Sequence, residues 1–271
     1  MSKKENHKRD LVNLFDEYFK TGDQKKLLKY LISNSNLPGR RANLELAEAF
    51  TDLIQNYFTN DPEKLFNLCL ILINFYSDEA PVNDPKEFLP FCGAWAIGSI
   101  GSVSPTYLEE SLIKLKGLAN DPRWRMRESV AKGIQKLILN ERKKTLKHLE
   151  DWITKNNWLE MRAVVAGIAE PYLLKDEKLA KQALKFHINI FEQIISAKKR
   201  KSENFIVLKK ALGYTLSVVI YAIPKEGFEF SQRIVESNDS DILWIVKQNM
   251  KKNRLIKNFP EDVALINKML K

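Results

Sequence analysis

Apolar residues recur along the chain at the spacing of an amphipathic helix. The first such stripe, at intervals of three and four residues, consists of Leu11, Leu14, Phe15, Tyr18 and Phe19. This spacing places side chains on one face of an α-helix. No segment of comparable length alternates apolar and polar residues in the way that a half-buried strand does. The pattern therefore predicts an all-helical chain.

Capping residues followed by proline mark several helix starts. Asp61 precedes Pro62, and Ser104 precedes Pro105. Their side chains can accept from unpaired amides of the first turn, where proline is also tolerated. Asn43 predicts another start, for a helix to about residue 58. Further helices are predicted at 122–139, 142–155, 158–173, 176–196, 203–223, 226–237, 240–256 and 260–270. Three prolines predict an irregular loop at 77–90, and residues 93–101 predict a short, tightly packed helix.

A short sequence motif repeats within the chain. Arg127 and Arg162 are 35 residues apart; a methionine precedes each, and Val-Ala and then Gly-Ile follow each. A third copy lies at 241–250, where Trp244 and Lys247 match Trp124 and Arg127. A period of about 35–40 residues with two helices per unit is typical of helical solenoids.

These repeats resemble the HEAT-repeat superfamily. Asp121 is followed six residues later by Arg127, and Asp241 by Lys247; in the middle copy Asn156 stands where the acid is expected. The resemblance is clearest over residues 105–270, whereas the helices of residues 8–76 are weaker and irregular. It implies a single domain over residues 1–271, a right-handed α-α superhelix of about fourteen helices.

Two segments are also similar to the HEAT-like alkylpurine DNA glycosylases. Residues 121–128 (DPRWRMRE) resemble their arginine- and tryptophan-bearing repeat, and residues 205–214 (FIVLKKALGY) their Lys-Ala-Ile-Gly-Trp stretch. The resemblance implies a basic concave face that cradles nucleic acid. However, residues 91–98, which correspond to the segment with the family's catalytic aspartate, contain no carboxylate. Asp121 and Glu128 are the nearest replacements, so the catalytic residue stays unknown.

The balance of charge favours a polyanionic partner. The chain has 44 basic and 34 acidic residues, a net charge of +10, which attracts nucleic acid or an acidic protein. Arginine matches phosphate oxygens and tryptophan stacks on bases. The candidate nucleic-acid-binding residues are Arg123, Trp124, Arg125, Arg127, Trp158, Arg162, Lys198, Lys199, Arg200, Lys201, Trp244, Lys247, Lys251 and Arg254. Alternatively, the basic residues at the repeated position bond within or between repeats, and the tryptophans pack between them. The alternative for the run at residues 198–201 is a solvated helix end, where lysines are also favourable.

A second candidate anion site is the loop Gly39-Arg40-Arg41. It directly precedes the helix that Asn43 is predicted to cap, and the unpaired amides of a helix N-terminus attract anions. The alternative is an ordinary turn with its cap, since the loop lacks the Gly-Lys-Ser/Thr spacing of a phosphate-binding P-loop.

Other kinds of chemistry find little support in the sequence. Two cysteines and three scattered histidines predict neither a disulfide framework nor a metal site, and no cofactor is expected. No catalytic motif stands out, so a binding protein is favoured over an enzyme. The charged start and the shortness of the apolar runs predict a cytoplasmic protein that does not enter a membrane. Three functions stay open: nucleic-acid binding, a protein–protein scaffold, and a glycosylase acting on alkylated bases.

Overall fold

The computed structural model describes residues 2–154 and 156–270, and within these ranges the chain is helical with no strand. The prediction of an all-helical fold built from helix repeats is confirmed. Met1, Lys155 and Lys271, which the predictions included, lie outside the described residues. The first eight α-helices are α1 (Lys3–Thr21), α2 (Lys25–Ser33), α3 (Leu44–Tyr57), α4 (Pro62–Ile73), α5 (Phe88–Val103), α6 (Pro105–Leu118), α7 (Trp124–Asn140) and α8 (Arg142–Thr154). The others are α9 (Trp158–Ile168), α10 (Glu177–Ser196), α11 (Glu203–Ala222), α12 (Pro224–Val235), α13 (Ser240–Met250), α14 (Asn253–Asn258) and α15 (Pro260–Met269).

Local capping explains most of the helix starts. The side chain of Asn43 accepts a hydrogen bond from the Leu46 amide at 3.1 Å, and Asp61 accepts one from the Lys64 amide at 2.9 Å. The predicted cap at Ser104 makes no such bond, although Pro105 does begin α6. Here the fixed backbone angle of proline is enough to start the helix.

Several predicted boundaries are wrong. The helix predicted at 158–173 ends at Ile168, and a turn containing Pro171 follows. The helix predicted at 240–256 is two helices, α13 and α14. The short helix predicted at 93–101 is the sixteen-residue α5, which begins within the predicted loop; a 3₁₀ turn, Pro85–Glu87, precedes it. Burial on every side gives α5 no polar face, so its sequence lacks the periodicity that marks the other helices.

The chain divides into two compact units, an N-terminal unit (Met1–Thr145) and a C-terminal unit (Leu146–Lys271). The N-terminal unit is organised around α5, of which all but one residue is buried and which packs against α3, α4, α6 and α7. The closest approach is to α7, where a β-carbon at Gly98 would collide with the backbone of Gly133. That contact fixes the position of α7. The single domain over residues 1–271 stays a prediction.

The C-terminal unit is organised around α11, which packs between α9 and α13 and also contacts α10 and α12. Asn249 on α13 donates to the Leu212 carbonyl at 2.8 Å and accepts from the Ser217 amide at 2.7 Å, which ties α13 to α11. By length and composition α11 qualifies as a membrane-spanning helix, but 61% of its most apolar stretch is buried inside the protein. Such burial is typical of a core helix.

Candidate nucleic-acid interface

In the N-terminal unit, the Gly39–Arg41 loop lies against the start of α7. The two segments border a cleft of about 350 Å³, which we call the arginine cleft. Its lining residues are Arg40, Arg41, Ala42, Leu44, Phe91, Trp124, Arg125, Glu128 and Lys132. The Gly39–Arg41 loop and the Arg-Trp-Arg segment of residues 123–125, which are far apart in the sequence, therefore form one site.

A buried network centred on Arg125 holds the loop in place. Its guanidinium donates to Glu87 Oε2 at 2.9 Å, to the Gly39 carbonyl at 2.6 Å and to Asn83 Oδ1 at 3.2 Å. Asn83 Oδ1 also accepts from the Gly39 amide at 3.0 Å, and the Asn83 amide donates to Glu87 Oε2 at 2.7 Å. Glu87 is 0% exposed and Arg125 only 5% exposed. This pairing offsets part of the cost of burying both charges.

The structure corrects the predicted role of Arg123. Its side chain is 1% exposed and forms a two-pronged ion pair with Asp121 at 2.7 and 2.9 Å. It also donates to the carbonyls of Phe75 and Ala80 at 2.9 and 3.0 Å. A guanidinium with these partners joins the 75–80 segment to the start of α7, and phosphate cannot reach it. Asp121 is equally committed, which removes it as a replacement for a catalytic carboxylate.

The repeated basic position also proves structural in its first two copies. Arg127 Nη1 donates to the carbonyls of Asp121 and Pro122 at 2.7 and 2.9 Å, as the alternative of bonds within a repeat predicts. Arg162 is buried, so it is not a surface phosphate contact. Lys247, in the third copy, is exposed and stays a candidate.

In the arginine cleft, the exposed side chains that a ligand could contact include Trp124 and the two loop arginines. The indole of Trp124 is 44% exposed, and the Arg125 guanidinium carbon lies 4.5 Å from its ring centroid. Arg40 and Arg41 are exposed to solvent. An immobilised tryptophan beside exposed arginines can stack on a planar group and bind its negative charge.

A second cleft, of about 930 Å³, lies in the C-terminal unit, and we call it the lysine cleft. It is lined by Trp158, Lys198, Lys199, Arg200, Lys201, Ser202 and Asp241. Trp158 begins α9, Ser202 caps α11 and Asp241 lies in the first turn of α13. The N-terminal ends of three neighbouring helices, with their positive dipole ends, therefore meet at this cleft.

Ion pairs within the lysine cleft involve only some of its cations. Arg200 pairs with Asp239 at 2.6 Å and with Asp241 at 3.3 Å, and Lys209 pairs with Asp241 at 2.7 Å. Burial acts to raise the pKa of Asp239, but hydrogen bonds from Arg200 and two backbone amides, with the Arg200 charge, leave that pKa below its usual value. Lys198, Lys199 and Lys201 are exposed. Their charges remain available at the cleft.

The other tryptophans of the repeat are partly used in packing. Trp158 meets Phe205 edge-on at 5.4 Å between ring centroids, while Trp244 lies over Gly213 and beneath the Lys209 ammonium, 4.8 Å from the ring centroid. Lys251 and Arg254 are exposed at the break between α13 and α14. Within residues 2–154 and 156–270, no three His, Cys, Asp or Glu side chains form a group suited to a metal ion.

Sequence reasoning missed the residues that support these sites. Glu87 and Asn83 lie in the segment predicted as an irregular loop, yet they anchor the Gly39–Arg41 loop. The sequence signal was the residue type of Asn83, because asparagine adopts the left-handed backbone conformation more readily than most residues. The structure shows that conformation, with φ of 73°. Nothing in the sequence links Asn83 to Gly39, 44 positions away.

No protein-family model matches the sequence, and no curated protein matches it either. Among solved structures, the chain is similar to a designed armadillo repeat protein, with 16% identity over 90% of this chain and 98% of that one, at a TM-score of 0.33. The helix pairs of each unit define the helical-repeat fold on their own.

Proposed function

We propose that this protein binds nucleic acid and that the lysine cleft is its main phosphate contact. The observation that carries the proposal is the clustering of Lys198, Lys199 and Lys201 at this cleft. The aspartates near them already pair with Arg200 and Lys209. In the part of the chain that the structure describes, none of the three lysines forms an ion pair. A polyanion would supply the missing countercharge.

The geometry favours contacts with the sugar–phosphate backbone over base recognition. Ammonium groups on flexible stems bind phosphates as point charges, and the helix N-termini at the cleft add positive potential for the same ligand. Contacts of this kind position a nucleic acid without reading its sequence. Binding should therefore be largely independent of sequence and strongly dependent on salt.

The test is the salt dependence of binding in matched charge variants. The variant K198Q/K199Q/K201Q removes three charges from the cleft. The control K143Q/K144Q/K147Q removes three exposed charges from α8. Fluorescence anisotropy with labelled mixed-sequence oligonucleotides gives the slope of log affinity against log salt. We expect the cleft variant to flatten this slope by about 2 to 3, since each lost phosphate contact contributes about 0.7 to 0.9.

The control should change the slope by less than about 1. Absence of oligonucleotide binding at low salt would overturn the proposal and leave an acidic protein as the remaining partner for the lysines. Equal changes in the two variants would also overturn it, because binding would then follow net charge and not the cleft.

A further inference from the structure

We propose that the arginine cleft holds one unpaired nucleotide of a single strand, with its base against Trp124 and its phosphate on Arg40 and Arg41. This inference rests on the proposed function and extends it, because it specifies which form of nucleic acid is bound. The lysine cleft explains attraction to any phosphate chain. The arginine cleft adds a surface on which the flat face of a base can stack. A base that is paired and stacked within a duplex cannot present that face.

The first support is the apolar surface that the cleft leaves in contact with solvent. Trp124 is 44% exposed and Leu44 47% exposed, and Ala42 and Phe91 complete the apolar part of the lining. Two large apolar side chains exposed beside one concavity suggest a ligand surface. The volume of the arginine cleft, about 350 Å³, lies near the lower end of the range for small-ligand pockets. It therefore suits a single nucleotide and not a double helix.

The second support is the charge around that apolar surface. Four basic residues line the cleft (Arg40, Arg41, Arg125 and Lys132) against one carboxylate, Glu128. Glu87 compensates Arg125 from beneath, which still leaves an excess of positive charge at the opening. A ligand that combines a flat ring with an anion satisfies both properties, and a nucleotide is such a ligand.

The third support is the fixed position of the group beneath Trp124. The guanidinium carbon of Arg125 lies 4.5 Å from the centroid of the indole ring. Glu87 and the Gly39 carbonyl hold that guanidinium in place. A ring supported in this way is a preorganised surface on which a base can stack.

The network also prepares the loop for binding. Because Gly39 is held through both its amide and its carbonyl, Arg40 and Arg41 extend from an ordered backbone. Binding then needs only side-chain ordering, and preorganisation of this kind increases affinity.

The experiment compares a single strand, a duplex of the same sequence and a mononucleotide such as AMP, using anisotropy for the oligonucleotides and tryptophan fluorescence for AMP. We expect the single strand to bind at least about tenfold more tightly than the duplex. Trp124→Ala should weaken single-strand binding about 5- to 100-fold, in the range measured for loss of one stacked base. Duplex binding should stay unchanged. Trp124→Phe keeps a ring and should retain most of the preference.

The controls separate this inference from the proposed function. Tyr76→Ala removes another exposed ring of the same unit, which is 62% exposed and lies outside the cleft, and should leave the preference intact. Equal affinity for both strand forms, or a preference that survives in Trp124→Ala, would overturn the inference even if the lysine variant behaves as expected. If no oligonucleotide binds, quenching by AMP that requires Trp124 would still support recognition of a base at the cleft, and its absence would overturn it.

Discussion

The arginine cleft and the lysine cleft both combine tryptophan with basic side chains, but their cations have different partners. In the arginine cleft, Arg125 is buried and bonded to a carboxylate and a carbonyl of its own unit. Arg123, which lies just outside the lining of this cleft, is bonded in the same way. Lys198, Lys199 and Lys201 are exposed. A planar, weakly hydrated guanidinium can satisfy several acceptors at once and therefore tolerates burial, whereas a compact ammonium is strongly hydrated. An Arg-Trp-Arg motif can therefore organise a site while only its tryptophan contacts the ligand.

The largest expected effect tests whether Arg125 is structural. Arg125→Met leaves Glu87 buried without its partner, so we expect a loss of about 3 to 5 kcal/mol in the free energy of unfolding. The K198Q/K199Q/K201Q variant should change it by less than about 0.5 kcal/mol, as exposed substitutions do. Urea denaturation followed by circular dichroism measures both. Adding Glu87→Leu to Arg125→Met should recover part of the loss; similar stabilities for the arginine and lysine variants would remove the contrast.

The second prediction concerns how the stability of the C-terminal unit, which contains the lysine cleft, depends on pH. His187 is buried there, with Nδ1 2.8 Å from the Ala183 carbonyl and Nε2 3.0 Å from the Thr215 hydroxyl. Burial lowers its pKa to about 4 from 6.5. The folded state therefore resists protonation that the unfolded state accepts, and stability is complete above about pH 6.5 and falls as pH drops towards 4.

The full shift corresponds to about 3 kcal/mol. Urea denaturation at several pH values across this window should show the loss in the native sequence. It should be clearly smaller in His187→Gln, where no imidazole is available to titrate. The same pH dependence in both proteins would show that His187 is not the cause.

The smallest effect compares how tightly the central helices are packed in the two units. At Gly98 an added β-carbon meets the backbone of Gly133, whereas at Gly213 the nearest atom is on the Trp244 ring, at 3.2 Å. A ring can shift but a helix backbone cannot do so locally. We expect Gly98→Ala to cost about 1 to 3 kcal/mol and Gly213→Ala less than about 1 kcal/mol, because alanine also favours the helix. Thermal unfolding of the two variants measures the difference, and the reverse order would contradict it.

Much of the fold was predictable because its signals are local. The caps at Asn43 and Asp61 and the prolines at 62 and 105 fix helix starts within a few residues of sequence. The predictions failed where a signal was missing or misleading. α5 is apolar on all sides and has no period to detect, and the break after Met250 lies within a run of charged residues that are compatible with a helix.

The candidate site was predictable only in pieces. The Arg40–Arg41 loop and Trp124 were each identified, but their meeting depends on Arg125 bonding to the Gly39 carbonyl, 86 positions away. The sequence also could not show which arginines are buried, since Arg123 and Arg40 differ in burial and not in residue type. Burial of that kind depends on tertiary packing, which one sequence does not reveal.

The bond between Arg125 and Gly39 also has a consequence during synthesis of the chain. At about 5 to 20 residues per second, the ribosome takes about 4 to 17 s to add the 86 residues that separate them. During that interval the Arg40–Arg41 segment has been made but lacks the partner that fixes it. The mature arrangement of this loop can therefore form only after residue 125 has been added to the chain.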